Sequence, residues 1–124
     1  MAYAPPSIKC IADHPRDADQ LRVQCRPGDL IITATDGLFD NINDEMILSE
    51  VKRLVPLDPD DIERKDLDLV ARSLAALARR KATDKHFKSP FSLAAQEAGF
   101  NFRGGKVDDI TVIVSAVSDL GTEV

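Results

Sequence analysis

Two short stretches of the sequence place carboxylates directly beside apolar runs. In TATDGLFDN, Asp36 follows the apolar residues 30–32, and Asp40 lies four positions further on. In GGKVDDITVIV, Asp108 and Asp109 immediately precede another apolar run. Carboxylates held close together repel one another unless a cation neutralises them, and Mg²⁺ and Mn²⁺ prefer oxygen ligands. The two stretches therefore indicate a divalent-metal site, provided that their strands are neighbours in one sheet.

An ordinary turn or capping role for these acids is the alternative, and from spacing alone it is the favoured one, because Asp-Gly is a common hairpin turn signal. A tight hairpin requires a second strand directly after the turn, however, and the segment after Gly37 soon becomes a helix start at Asn43. Asp36 is therefore predicted to lie at a strand end in a loop, with Asp40 facing the same space. Glycines at 104–105 would let the second stretch approach a neighbour closely.

The strands that would position these acids follow from the hydropathy pattern. QLRVQC alternates like a half-buried strand, and DLIITAT reads as a strand buried on both faces. A turn at residues 27–29 is predicted to pair the two as a hairpin that ends at Thr35. Residues 110–117 form the most strand-like stretch of the chain because they are rich in β-branched residues.

Two or three helices are predicted between the acidic stretches. The first begins at the capping residue Asn43 and ends before Pro56, and the second spans about 60–82 with apolar residues at helical spacing. A short third helix begins after Ser89, which is followed by the proline favoured at a first helical position, and ends at Gly99. A hairpin, helices and a returning strand together predict an α+β fold.

The composition is that of one globular domain. At 124 residues, folding removes roughly two-thirds of the unfolded chain's surface from water. Apolar residues make up 44% and charged residues 30%, which argues against disorder. No stretch approaches the roughly 20 apolar residues of a membrane helix, and the first residues show no signal-peptide pattern. We therefore expect a soluble, intracellular protein without a membrane partner.

A nucleic-acid partner is not expected at a formal net charge of −5, because an acidic protein repels the phosphate backbone. The helix dipole accounts for the basic run near the predicted end of the second helix. That run contains Arg79, Arg80, Lys81, Lys85, His86 and Lys88. Cys10 and Cys25 lack zinc-site or CxxC spacing and are expected to be reduced thiols.

The stretch GDLIITATDGLFDNINDEMIL resembles the strand, Asp-Gly motif and following helix of metal-dependent serine/threonine protein phosphatases of the PPM family, the protein phosphatase 2C class. GGKVDDITVIVSAV resembles the closing motif and final strand of that family, and the resemblance extends from about Asp13 to Val117. AQEAGFNFRGGKVDDITV is especially similar to the branch with mitochondrial-type members, which implies an organelle as a location. The family fold is an α/β/β/α sandwich. Residues 1–124 would be the C-terminal portion of that catalytic domain, with an irregular segment at 1–12 and a tail at 118–124.

The resemblance also assigns roles to the acids. It implies that Asp36 and Asp108 are ligands of two catalytic Mn²⁺ or Mg²⁺ ions, and that Asp40 helps to hold a third, weaker one. The implied supporting residues are Gly37 beside the cluster, Asp109 in the loop and Thr111 at the start of the buried strand. The implied reaction is hydrolysis of phosphoserine or phosphothreonine in a phosphoprotein by a metal-activated water, so that no serine or cysteine nucleophile is expected.

The chain departs from the family pattern at its front. It has no early strand with the Asp-Gly acid that bridges both metals, and no upstream basic residue to grip the phosphate. We therefore expect a fragment with little or no activity alone, which self-associates or pairs with a missing N-terminal half. The alternative is a non-catalytic, phosphatase-like interaction module in which Asp36 and Asp108 only shape turns. Phosphate binding at residues 104–106 is disfavoured because the spacing of nucleotide-binding glycine loops is absent.

Overall fold

The computed structural model describes residues 12–119, which form four α-helices, two 3₁₀ turns and one two-stranded sheet. The strands and helices are β1 Leu30–Ala34, α1 Asp36–Phe39, α2 Asp44–Leu54, α3 Arg64–Ala82, α4 Pro90–Glu97 and β2 Val112–Ala116. The predicted α+β class is confirmed. Nearly all of the irregular segment predicted at 1–12, with Cys10, and most of the tail predicted at 118–124 lie outside the described residues; Cys25 is a free, exposed thiol.

The sheet pairs β1 with β2, antiparallel, with Leu30 opposite Ala116 and Ala34 opposite Val112. The predicted hairpin between QLRVQC and DLIITAT is therefore wrong. Leu21 and Val23 of QLRVQC remain 91% and 78% exposed, so this alternating stretch buries no apolar face that would reward strand pairing. β2 takes the place beside β1 because its inward side chains pack on the helices.

Both strands bury only one face. Inward residues alternate with exposed ones along each strand, and Ile31 and Ile113 remain 46% and 57% exposed on the outer face. The prediction that DLIITAT is buried on both faces is therefore wrong. Among the described residues the helices cover the inner face only, with α3 packed against β2. Within residues 12–119 no layer covers the outer face, which exposes Ile31 and Ile113 together with Thr33 and Ser115.

The core lies between the sheet, α1, α2 and α3. Val70, Leu74 and Ala78 are fully buried at intervals of four residues, so one stripe of α3 faces the core. The buried cluster consists of Leu38, Ile42, Ile47, Val70, Leu74 and Ala78. Among the helices of residues 12–119, none is long and apolar enough to cross a membrane.

The helix starts follow the predicted caps, with one difference. Asn43 Oδ1 accepts a hydrogen bond from the Met46 N–H at 2.9 Å, and Ser89 Oγ accepts one from the Ser92 N–H at 3.0 Å. α3 begins at Arg64 rather than near residue 60, because the predicted first turn is instead a separate 3₁₀ turn at Pro59–Asp61. The helices capped by Asn43 and Ser89 therefore start where a side-chain oxygen accepts a hydrogen bond from a backbone N–H that has no partner within the helix.

Glu50 links α2 to α3 and gives the fold a pH-dependent contact. Its Oε2 accepts hydrogen bonds from Arg53 Nη2 at 2.7 Å and from the Ser73 hydroxyl. These two hydrogen bonds, that of Arg53 first, lower the pKa of Glu50 below its ordinary value. The contribution of ionised Glu50 to the free energy of unfolding is therefore complete above the pKa of an unfolded glutamate. It is lost as the pH falls through the lowered pKa of Glu50 in the folded chain.

We predict that Glu50→Gln reduces the free energy of unfolding at neutral pH and makes its decline between neutral and acidic pH shallower. Urea denaturation across that range measures both effects. Glu45→Gln, at an exposed position in the first turn of α2 without an ion pair among the described residues, is the matched control. It changes the free energy of unfolding less than Glu50→Gln does, because only the helix dipole favours Glu45. An unchanged pH profile in Glu50→Gln would contradict the role assigned to Glu50.

Candidate metal centre

The acids predicted to form a metal site flank one edge of the sheet. Because β1 and β2 are antiparallel, the end of β1 and the start of β2 lie at the same edge, where Ala34 is opposite Val112. Asp36 follows β1, and Asp108 precedes β2. The condition that the sequence argument set, neighbouring strands in one sheet, is therefore met.

Asp36 and Asp40 lie at the two ends of α1. Asp36 is the first helical residue rather than a loop residue as predicted, because the chain turns directly into a single helical turn in which the Asp40 N–H donates to the Asp36 carbonyl at 2.8 Å. Thr35 is the N-cap, so the exposed Asp36 side chain caps nothing. Within residues 12–119 that carboxylate makes no hydrogen bond or ion pair, whereas Asp40 is partly buried.

Lys106 places one positive charge against two of the acids. Its Nζ lies 3.4 Å from Asp40 Oδ2 and 3.9 Å from Asp108 Oδ2. The same ammonium lies 4.6 Å from the centroid of the Phe91 ring, in cation–π contact. Asp40 and Asp108 therefore converge on one point in space, and the ammonium offsets the repulsion between them.

Asn41 joins the two acidic stretches through hydrogen bonds. Its Nδ2 donates to the carbonyls of Gly37 at 2.9 Å and Lys106 at 2.8 Å, and its Oδ1 accepts from the Lys106 N–H at 2.8 Å. The side chain is fully buried. The sequence analysis did not single out Asn41. The available signal was its polar side chain directly before Ile42, in a segment after the Asp-Gly pair that also contains Leu38. Asn41 fixes the position of Lys106 relative to α1.

Thr35 and Gly37 hold the start of α1 against the segment before β2. The Thr35 N–H donates to the Thr111 carbonyl, the Thr111 N–H donates to Thr35 Oγ1, and Thr35 Oγ1 donates to the Asp109 carbonyl, each at 3.1 Å. A Cβ atom at residue 37 would collide with the Asp109 carbonyl oxygen, so this close approach requires glycine. β2 spans Val112–Ala116 and is shorter than the stretch predicted at 110–117. The resemblance placed its start at Thr111, whose N–H donates to the Thr35 hydroxyl instead of to a strand partner.

Asp108 and Asp109 differ in their surroundings. Asp108 Oδ1 accepts a hydrogen bond from the Asp109 N–H at 2.8 Å, which fixes the carboxylate against its own backbone. Asp109 contributes its carbonyl oxygen to Thr35, and its exposed side chain makes no hydrogen bond or ion pair within the described part of the chain. The support that Asp109 gives to the site therefore runs through its backbone.

The donor atoms suit a hard divalent cation, but the set is incomplete. Asp36, Asp40 and Asp108 offer the carboxylate oxygens that Mg²⁺ and Mn²⁺ prefer. Across residues 12–119, however, no three acidic, histidine or cysteine side chains are grouped closely enough to hold a metal ion. The donor chemistry therefore suits Mg²⁺ or Mn²⁺, but the described residues alone do not form a complete site for either ion.

Comparisons with known proteins decide the family. The chain is 42% identical over 121 residues to the human "Protein phosphatase PTC7 homolog" and 45% identical over 108 residues to the "Probable protein phosphatase 2C 55" of Arabidopsis thaliana. It also matches the X-ray structure of the photosystem II phosphatase PBCP, with a TM-score of 0.62 and 34% identity, over 77% of this chain and 38% of that chain. The chain belongs to the PPM, or protein phosphatase 2C, family. No protein-family model matches the sequence.

Membership of the PPM family agrees with the fold and with the predicted branch. The match to PBCP shows that the α+β unit has the fold of a protein phosphatase 2C-type structure. The PTC7 names are consistent with the mitochondrial-type branch. The matches cover 96% of this chain but 38% of the human protein, and 86% of this chain but 21% of the Arabidopsis protein. Members of the PPM family generally depend on Mg²⁺ or Mn²⁺.

We predict that Asn41→Leu lowers the free energy of unfolding by about 2 kcal/mol, because it leaves the buried Gly37 carbonyl and the partly buried backbone groups of Lys106 without these partners. Urea denaturation measures the change. Asn101→Leu, the same substitution at an exposed asparagine, is the matched control and changes the free energy by no more than about 0.5 kcal/mol. Equal losses in the two variants would show that Asn41 does not join the acidic stretches.

Proposed function

We propose that this chain acts in a metal-dependent protein phosphatase that hydrolyses phosphoserine and phosphothreonine in phosphoprotein substrates. The observation that carries the proposal is the β1–β2 pairing, which places Asp36 and Asp108 at one sheet edge in a member of the PPM family. The mitochondrial-type branch supports an organellar location for a protein that is soluble there. This chain contributes one side of the metal centre.

In this proposal, Asp36 and Asp108 hold the paired cations, and Asp40 contributes to a third, weaker position. When bound, Mn²⁺ or Mg²⁺ lowers the pKa of a coordinated water and offsets negative charge on the phosphoryl group. Asp36 is ready for such a role because its exposed carboxylate has no hydrogen bond or ion pair among the described residues. Asn41 and Gly37 keep the carboxylates in place by locking α1 against the segment before β2.

The remaining side of the centre would come from an N-terminal half of the catalytic domain, or from a second copy of this chain. Two features support such a partner: the described acids form no complete metal site, and the outer face of the sheet exposes Ile31 and Ile113. A second layer packed on that face would bury apolar surface, which stabilises the pair by roughly 25 cal/mol for each Å² buried. The isolated chain therefore binds divalent metal weakly and turns over little or no phosphoester.

A non-catalytic, phosphatase-like interaction module is the competing function. One observation favours it, since the Lys106 ammonium already neutralises part of the charge of Asp40 and Asp108 without a metal. In that case Asp36 and Asp108 only shape turns, and their removal changes stability rather than metal binding. Substitution of the acids separates the two functions.

We predict that Asp36→Asn weakens Mn²⁺ binding by the isolated chain about tenfold, because a carboxylate ligand is lost. The metal-free melting temperature stays unchanged, because the exposed Asp36 carboxylate has no hydrogen bond or ion pair to lose among the described residues. Isothermal titration with Mn²⁺ and thermal unfolding in chelator measure the two quantities. Asp61→Asn is the control, since Asp61 is an exposed acid in the 3₁₀ turn away from the sheet edge. A lowered melting temperature with unchanged Mn²⁺ binding would establish the structural role.

We also predict that the purified chain hydrolyses p-nitrophenyl phosphate in millimolar Mn²⁺ no faster than it does in chelator. The reason is that residues 12–119 group too few ligands to complete a two-metal centre. Manganese-dependent turnover that Asp36→Asn abolishes would contradict the half-site and show that the chain, alone or self-associated, builds a working centre.

A further inference from the structure

A basic pocket lies beside α4, and none of Asp36, Asp40 and Asp108 lines it. It has a volume of about 550 Å³ and is formed by the loop at 85–88, by α4 and by the segment at 101–104. Lys85, Lys88 and Arg103 line it together with His86. The neutral polar side chains of the wall belong to Ser92, Gln96 and Asn101. The size is that of a small-molecule or side-chain site.

The charge of this pocket is opposite to that of the chain. The chain carries a net charge of −5, yet three permanent cations and no carboxylate line the pocket. None of Lys85, Lys88 and Arg103 forms an ion pair with an acid in the described part of the chain. Asp84, the nearest acid in sequence, accepts a hydrogen bond from the His86 N–H at 2.9 Å.

The sequence-based expectation that the helix dipole accounts for the whole basic run is wrong for Lys85 and Lys88. α3 ends at Ala82, and its last turn contains Arg79, Arg80 and Lys81, which the dipole does account for. Lys85 and Lys88 lie beyond that turn, and Arg103 comes from a different segment of the chain. The fold therefore gathers positive charge from two places in the sequence into one concave surface.

The walls of the pocket are fixed to one another. Ser89 Oγ donates to the Gly104 carbonyl at 2.6 Å, and the Gly105 N–H donates to the Asp84 carbonyl at 2.9 Å. Gln96 Nε2 donates to the Phe102 carbonyl at 3.0 Å. The loop at 84–89 and the segment at 101–105 therefore keep their spacing without a ligand, so that binding orders little additional chain.

We propose that this pocket binds an acidic segment of a partner protein through its carboxylates. Lys85, Lys88 and Arg103 would pair with the carboxylates, while Gln96 and Asn101 offer hydrogen bonds to the peptide. A nucleic acid fits less well because its backbone charge continues beyond the pocket, where the net charge of −5 repels it, whereas a protein segment can carry its acids only where the pocket is basic. None of the lining residues is a proposed metal ligand, so this site stands or falls independently of the metal centre.

The test is fluorescence anisotropy of a fluorescein-labelled oligoglutamate peptide added to the full chain in low salt with chelator. We expect saturable binding that weakens as sodium chloride is added, and no binding of an oligoglutamine peptide of the same length. In the pocket variant, Lys85, Lys88 and Arg103 are each replaced by Gln, and we expect its affinity to fall about tenfold or more.

A charge-matched control removes three exposed cations elsewhere, by replacing Arg22, Lys52 and Arg64 with Gln. We expect its affinity to change less than about twofold, and thermal unfolding verifies that both variants are folded. Equal losses in the two variants would reduce the effect to net charge and overturn the proposal. Failure of the wild type to bind oligoglutamate would overturn it as well. So would an oligouridylate that binds the wild type more tightly than oligoglutamate does and whose binding is lost only in the pocket variant.

Discussion

The pairing of β1 with β2 places every acidic residue of the candidate centre, because it joins two strands that lie near opposite ends of the described chain. Without it, Asp36 and Asp108 would belong to unrelated segments. Backbone hydrogen bonds join the two strands, and the inward residues of both strands secure the register by packing on the core. The side-chain bonds of Asn41 and Thr35 then extend the pairing past the strand ends, to the acids themselves.

Holding carboxylates together carries an electrostatic cost that this chain meets in two ways. The backbone beside the acids is held by the buried Asn41, whose amide nitrogen and oxygen both form hydrogen bonds, and by the close contact of Gly37 with the Asp109 carbonyl. The charge itself is offset locally by Lys106, whose ammonium also lies over the Phe91 ring. Geometry and charge compensation are thus provided by different residues, which makes them separable by mutation.

Local signals predicted the helices well. Asn43 and Ser89 cap helices where their side chains satisfy backbone N–H groups, and the apolar spacing of α3 matches its buried stripe. Strand partners were harder, because alternation in QLRVQC describes a possible strand but not whether an apolar face exists to receive it. The position of Asn41 beside Ile42 could mark it as a polar residue next to the core, but its partner could not be read from sequence, since Lys106 lies 65 positions away. The basic pocket escaped for the same reason, as Arg103 joins the loop at 85–88 only in the folded chain.

The central claim is that the ends of β1 and β2 form one side of a single metal centre. Nuclear magnetic resonance of the ¹⁵N-labelled chain, with substoichiometric Mn²⁺ as a paramagnetic probe, tests it most directly. The account predicts that amide signals of residues 36–40 and 106–109 broaden together, while those of the acid-rich stretch at 58–61 persist. Broadening at only one of the two strand ends, or strongest broadening at 58–61, would contradict it.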